Sequence, residues 1–268
     1  MNTLTNTSKI NKNNFLIQNP VMKRLSNVKE ESCDHITYKG IAKKCGLFVL
    51  MIIAGVAIAF LTSFLCNVTG GSEKEYPIPF LIMLGAATLA TLVTPFIAIF
   101  AKKCTAVAGS IFCASIGIIY TSSALVIDGY KNELLLALFV TVALFGSLAL
   151  LFSMNIIKVT EKFKSVAYIT LSALLITGIL LIISLFVPAL NGPVKVIMSN
   201  PLLCIGLSVI GVIVASMFVL MDLQNAREAV NKRVPKSYEW YCAFGIIFSV
   251  IWLFAEVFQL ITSVKDAV

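Results

Sequence analysis

Seven long, almost unbroken apolar stretches alternate with short polar connections along the chain. They are Cys45–Cys66, Ile78–Phe100, Cys104–Ile127, Leu134–Met154, Val166–Val187, Pro201–Met221 and Trp240–Thr262. Each is 21 to 24 residues long, and a helix needs about 20 mostly apolar residues to cross a hydrocarbon core of ~30 Å. The runs are continuous rather than alternating, which argues against strands, and an open sheet edge has no hydrogen-bond partners in lipid. The pattern predicts an all-α membrane protein built as a seven-transmembrane-helix bundle, with consecutive helices adjacent because their connections are short.

Composition sharpens this reading. Of the 268 residues, 59% are hydrophobic and only 13% charged, with a mean hydropathy of +0.94. A soluble domain carries about 25% charged residues, so a soluble enzyme, a disulfide-stapled secreted domain and a disordered chain are all excluded. Residues 1–40 are polar, rich in Asn, Lys, Thr and Ser, and show no signal-peptide core. They read as a mobile N-terminal arm, followed by a transmembrane domain over 41–268 whose first span acts as an uncleaved membrane signal.

Orientation follows from the basic residues. Lys9, Lys12, Lys23, Arg24, Lys29, Lys39, Lys43 and Lys44 lie on the arm's side. So do Lys102, Lys103, Lys158, Lys162, Lys164, Arg227, Lys232, Arg233 and Lys236, whereas Lys74, Lys131, Lys195 and Lys265 fall on the other. Seventeen against four puts the N-terminus in the cytoplasm and, with an odd number of spans, the C-terminus outside. The expected location is the cell (plasma or inner) membrane. The net charge of +8 then serves anionic headgroups on the cytoplasmic face rather than nucleic acid.

No catalytic constellation emerges. The seven cysteines include no Cys-x-x-Cys pair, and most read as small residues at helix interfaces. Cys33-Asp34-His35 contains metal-ligand residue types, but three adjacent residues do not converge on one ion and no second cluster completes a zinc site. His35 is the sole histidine, which leaves no intramembrane base for a serine nucleophile. No phosphate-binding glycine loop is visible, and no cofactor is implied. Asn67-Val68-Thr69 fits a glycosylation acceptor, meaningful only in a secretory pathway.

Two acidic residues differ from the solvated charges of the connections. Glu256 lies in Trp252-Leu253-Phe254-Ala255-Glu256-Val257-Phe258, with no cation within eight residues. A carboxylate at that depth should face the bundle interior, pair, or stay protonated. It is either an ion or proton site, or a neutral acid hydrogen-bonded to a neighbouring helix. Asp222 ends the sixth span, where a negative charge opposes the helix dipole. Its alternatives are a sensing role and ordinary interfacial solvation. Arg227 is a candidate partner for Asp222 in the following connection, and Glu239 a candidate acidic neighbour at the start of span seven.

These residues carry a resemblance to the Bax inhibitor-1 family, the transmembrane Bax inhibitor motif proteins, and most of all to a bacterial subgroup. The matching segments are Asn19-Pro20-Val21, Thr37-Tyr38-Lys39-Gly40, Lys158-Val159-Thr160-Glu161-Lys162-Phe163 and Asp222-Leu223-Gln224. Glu239-Trp240-Tyr241, Ala243-Phe244-Gly245 and Trp252-Leu253-Phe254-Ala255-Glu256 complete them. The resemblance implies seven transmembrane helices with the last one central, a pH-sensitive calcium leak, and two carboxylates on helices six and seven as a proton-sensing latch. By motif these are Asp222 and Glu256, with Glu replacing the more usual Asp. The third span, Ser110-Ile111-Phe112-Cys113-Ala114-Ser115-Ile116-Gly117, lacks the carboxylate that relatives often carry. Glu256 lies sixteen residues beyond Trp240, roughly 24 Å along a helix, so direct pairing with Asp222 demands a tilted span seven or one that begins in the cytosol.

The expected function is a multi-pass calcium or cation leak gated by carboxylate protonation, with calcium held transiently at Asp222 and Glu256 and no other metal. Ala54, Gly55, Gly85, Ala86, Ala108, Gly109, Gly206 and Gly211 would permit close helix approach, and Pro95 would kink span two. The alternative is a non-conducting regulator that binds another membrane protein such as an AAA protease, through the arm and the connection from Asp222 to Glu239. A small-molecule transporter is weaker, because no inverted repeat or paired broken helices are evident.

Overall fold

The computed structural model describes residues 34–66, 77–127, 130–157, 159–186, 200–265 and 267. Most of the expected arm, the Asn67-Val68-Thr69 acceptor and Lys74 lie outside the described residues, as do Asp128, Lys158 and Lys195. Among those described, the regular structure is helical: α1 (Tyr38–Leu65), α2 (Ile78–Phe100), α3 (Thr105–Val126), α4 (Tyr130–Ser153), α5 (Glu161–Phe186), α6 (Pro201–Asn231) and α7 (Glu239–Lys265). Each coincides in position with one apolar stretch. Among the described residues, α1 to α4, α6 and α7 are long and apolar enough to cross a membrane. Their outward faces are apolar and uncovered: Phe64, Phe139 and Leu202 are each more than 70% exposed.

Two helices extend well past the apolar runs. α1 starts at Tyr38, seven residues before Cys45. Thr37 caps it by accepting a hydrogen bond from the Gly40 N–H at 3.0 Å. The last residues assigned to the arm are therefore ordered: Ile36 is buried, and its N–H donates to the Val234 carbonyl at 2.9 Å. α6 continues nine residues beyond Asp222 to Asn231. The apolar run stops at the first charge, but the helix persists because Ala226 and Ala229 keep one face buried. Asp222 thus stands inside a helix, not at its C-terminus, and the expected conflict with the helix dipole does not arise. Pro95 lies inside α2 without ending it.

Packing centres on two apolar clusters. Phe48 of α1, Phe112 of α3 and Phe244 of α7 meet edge to face, with ring centroids 5.9 to 6.1 Å apart. Leu253 and Val257 of α7 pack with Ala215 and Val219 of α6 and Ala137 of α4. α7 has its most extensive contact with α6, and also packs on α1, α2, α3 and α4. Water exclusion gives helices in lipid no drive to associate, so close contact and polar bridges must do it. The α1–α3 contact shows the first: the backbones cross at Gly55 and Gly117, where a Cβ on Gly55 would come within 2.0 Å of the Ala114 carbonyl oxygen.

Candidate functional site

Acidic side chains on or facing α7 mark three stations along the last helix. The first is at its N-terminus. Glu239 begins α7 and is almost fully buried. Its carboxylate receives Lys44 Nζ of α1 at 2.6 Å, with the Thr37 N–H at 3.1 Å and the Thr37 hydroxyl at 3.2 Å. The carboxylate fits because Gly40 has no side chain: a Cβ there would sit 2.0 Å from Glu239 Oε1. Lys44 also lies 5.1 Å from the Trp240 ring centroid. Beside this pair, the Lys236 N–H donates to the Asp34 carbonyl at 3.1 Å, and Lys236 Nζ meets the Asp34 carboxylate at 3.0 Å. Glu239 therefore fastens α7 to α1 through Lys44 and Thr37.

The second station is Asp222. The Ser249 hydroxyl of α7 donates to its carboxylate, and Asn225, one turn along α6, bonds to it as well. The carboxylate lies against Gly245 of α7. It is a helix–helix bridge within the most extensive contact that α7 makes.

The third is Glu256. Trp252 Nε1 donates to its carboxylate at 2.8 Å across one helical turn. Its other oxygen points at α6, where a Cβ on Gly211 would lie 2.1 Å away. Phe254, on the same helix, packs edge to face with Tyr120 of α3 at 4.9 Å between ring centroids. At the far end of α7, Lys265 Nζ meets Glu133 of α4 at 2.6 Å.

The structure separates the two acids that the resemblance pairs. Asp222 faces Ser249, whereas Glu256 faces Gly211, eleven residues before Asp222 on α6. At ~1.5 Å per residue the levels differ by roughly 16 Å along α6. Antiparallel helices bring residue 222 opposite 249 and residue 211 opposite 256, so neither tilt nor an earlier start of α7 joins them. Ser249 is the neighbour of Asp222 that sequence reasoning missed. A serine in an apolar run reads as a small interfacial residue, and its one signal is its place one helical turn beyond Gly245.

Arg227 does not reach Asp222 either. It donates to the Asn155 side chain at 2.7 Å and the Phe152 carbonyl at 3.0 Å, with its guanidinium 3.9 Å from the Phe152 ring centroid. Five residues on a helix of 3.6 per turn is a rotation of about 140°, which turns Arg227 away from the Asp222 face. It closes the C-terminal end of α4, where Asn155 adopts a positive φ of 56°. Among the described residues no three metal-ligating side chains converge.

A family model described as Bax inhibitor 1 like matches residues 19–266. No curated protein and no solved structure matches the chain.

Proposed function

The chain belongs to the Bax inhibitor 1 like family, and on that premise we propose that it is a pH-sensitive cation leak of the cell membrane, with calcium the conducted ion. In this reading all seven helices span the bilayer, the last is central, the N-terminus is cytoplasmic and the C-terminus outside. The observation that carries it is Asp222: a carboxylate placed in the most extensive contact of α7, the one with α6, and bonded across it to Ser249. Protonation changes that contact. An ionised carboxylate only accepts hydrogen bonds, whereas a carboxylic acid also donates one, so the α6–α7 bridge must rearrange when a proton arrives. With a hydroxyl opposite it, Asp222 responds as a single carboxylate and not as a proton-sharing pair. Glu256 is a separate acidic station on the ion's route, nearer the opposite membrane face.

Calcium flux into proteoliposomes between about pH 5 and pH 8 tests this. The wild type should show flux that varies across the range. Asp222→Asn should flatten that dependence, and Ser249→Ala should move its midpoint. Glu256→Gln should change the amount of flux while leaving the pH profile in place. Flux no greater than in empty liposomes for all four proteins overturns the leak and favours the non-conducting regulator.

A further inference from the structure

On the face that carries the basic residues, α1 and α4 stand apart across the front of α7, and a cavity of about 730 Å³ opens between them. This is within the usual size of small-molecule pockets, about 300–1,000 Å³. The cavity runs along α1 from Tyr38 to Val49, eleven residues or roughly 16 Å of helix. Its inner end is purely apolar, at Val49 and Val250, and Arg227 at its mouth is the one charged residue that lines it. Arg227 uses its guanidinium for one side-chain amide and one backbone carbonyl. Among the described residues no carboxylate pairs with it, and these two bonds leave three of its five N–H donors.

Gly46, on the α1 wall, has nothing within 4 Å of where a Cβ would lie. The missing side chain is therefore not needed for helix packing, and its absence keeps the groove open. An apolar slot at membrane depth that ends in an unpaired cation matches an acyl chain with a negative head. The geometry points to a binding site for an anionic phospholipid, with one acyl chain between α1 and α4 and its phosphate at Arg227. Basic pockets between helices at the cytoplasmic level hold such headgroups. The inference is independent of ion conduction.

Native mass spectrometry of the detergent-purified protein, offered equal amounts of phosphatidylglycerol and phosphatidylcholine, tests it. The wild type should retain phosphatidylglycerol roughly fivefold over phosphatidylcholine, the weight of one basic residue near a lipid surface. Arg227→Gln should bind both equally. Gly46→Leu fills the slot and should lose about tenfold in retention of either lipid, with an unchanged thermal midpoint in lipid-free detergent. Ala149→Leu, from the α4 wall, should do the same, so misfolding of one variant leaves the test intact. Equal retention of both lipids by the wild type overturns the site, as does undiminished binding in both groove-filling variants. A dimer that Gly46→Leu dissociates also overturns it, because a second copy is then the occupant.

Discussion

Gly55→Ala and Gly117→Ala are each expected to destabilise the bundle by about 3 kcal/mol, the upper end of overpacking costs. One methyl group is enough because what it meets cannot move aside. On Gly55 it would lie 2.0 Å from the Ala114 carbonyl oxygen, and on Gly117 it would lie 2.3 Å from that of Ile52. Both obstacles are backbone atoms inside helices, so relief requires α1 and α3 to separate along their whole contact. That contact is the most extensive in the N-terminal half, and Phe48 and Phe112 lose their common packing with Phe244 when it opens. Gly85→Ala and Gly206→Ala are the controls. Neither meets anything within 4 Å, and replacing a helical glycine by alanine favours the helix by up to ~1 kcal/mol. Thermal unfolding of the four variants in one detergent should lower the midpoint for the first pair and leave or raise it for the second. A uniform response from all four would rule out the interlocked crossing.

Lys44→Met should be nearly as damaging, for an electrostatic reason. Removing one partner of a buried ion pair costs about 3–5 kcal/mol, because the other charge stays behind without compensation. Glu239 has only 2% of its side chain exposed, so water does not replace the ammonium at 2.6 Å. Thr37 still donates two hydrogen bonds to the carboxylate, which softens the loss without removing it. Adding Glu239→Gln to Lys44→Met should recover most of the stability, since a neutral amide keeps an acceptor for Thr37 and leaves no charge buried. The double-mutant cycle isolates the coupling between the two side chains. Additive losses would show that Lys44 contributes through its packing on Trp240 instead. Because this station fastens α7 to α1, proteolysis near Asp34–Thr37 should accelerate in Lys44→Met and return to the wild-type rate in the double variant.

Much of the architecture was legible before any coordinates. A helix that must satisfy its own backbone in lipid needs an unbroken apolar run, so hydropathy located all seven helices. It misjudged the ends of α1 and α6, where the helix outlasts the apolar run because one buried face is sufficient. That error moved Asp222 from a helix terminus to a helix interior. The isolation of Glu256 from any cation was visible in sequence, and so was the unusual placement of Asp222. Their neighbours were not. Gly55, Gly85, Gly206 and Gly211 looked alike as small residues in apolar helices, yet Gly55 sits at a backbone crossing and Gly211 admits a carboxylate. A Cβ on Gly85 or Gly206 would meet nothing within 4 Å among the described residues.

The sequence by itself determined the helical class, the family and the identity of the acids, because these depend on residue type and run length along one chain. Only the tertiary structure decided that Asp222 faces Ser249, that Glu256 faces Gly211, that Glu239 holds Lys44 and that Arg227 turns to the end of α4. Each of these depends on the rotation and axial offset of one helix against another. A shift of one residue turns a helical side chain by about 100°, and no pattern within a single apolar run fixes that angle.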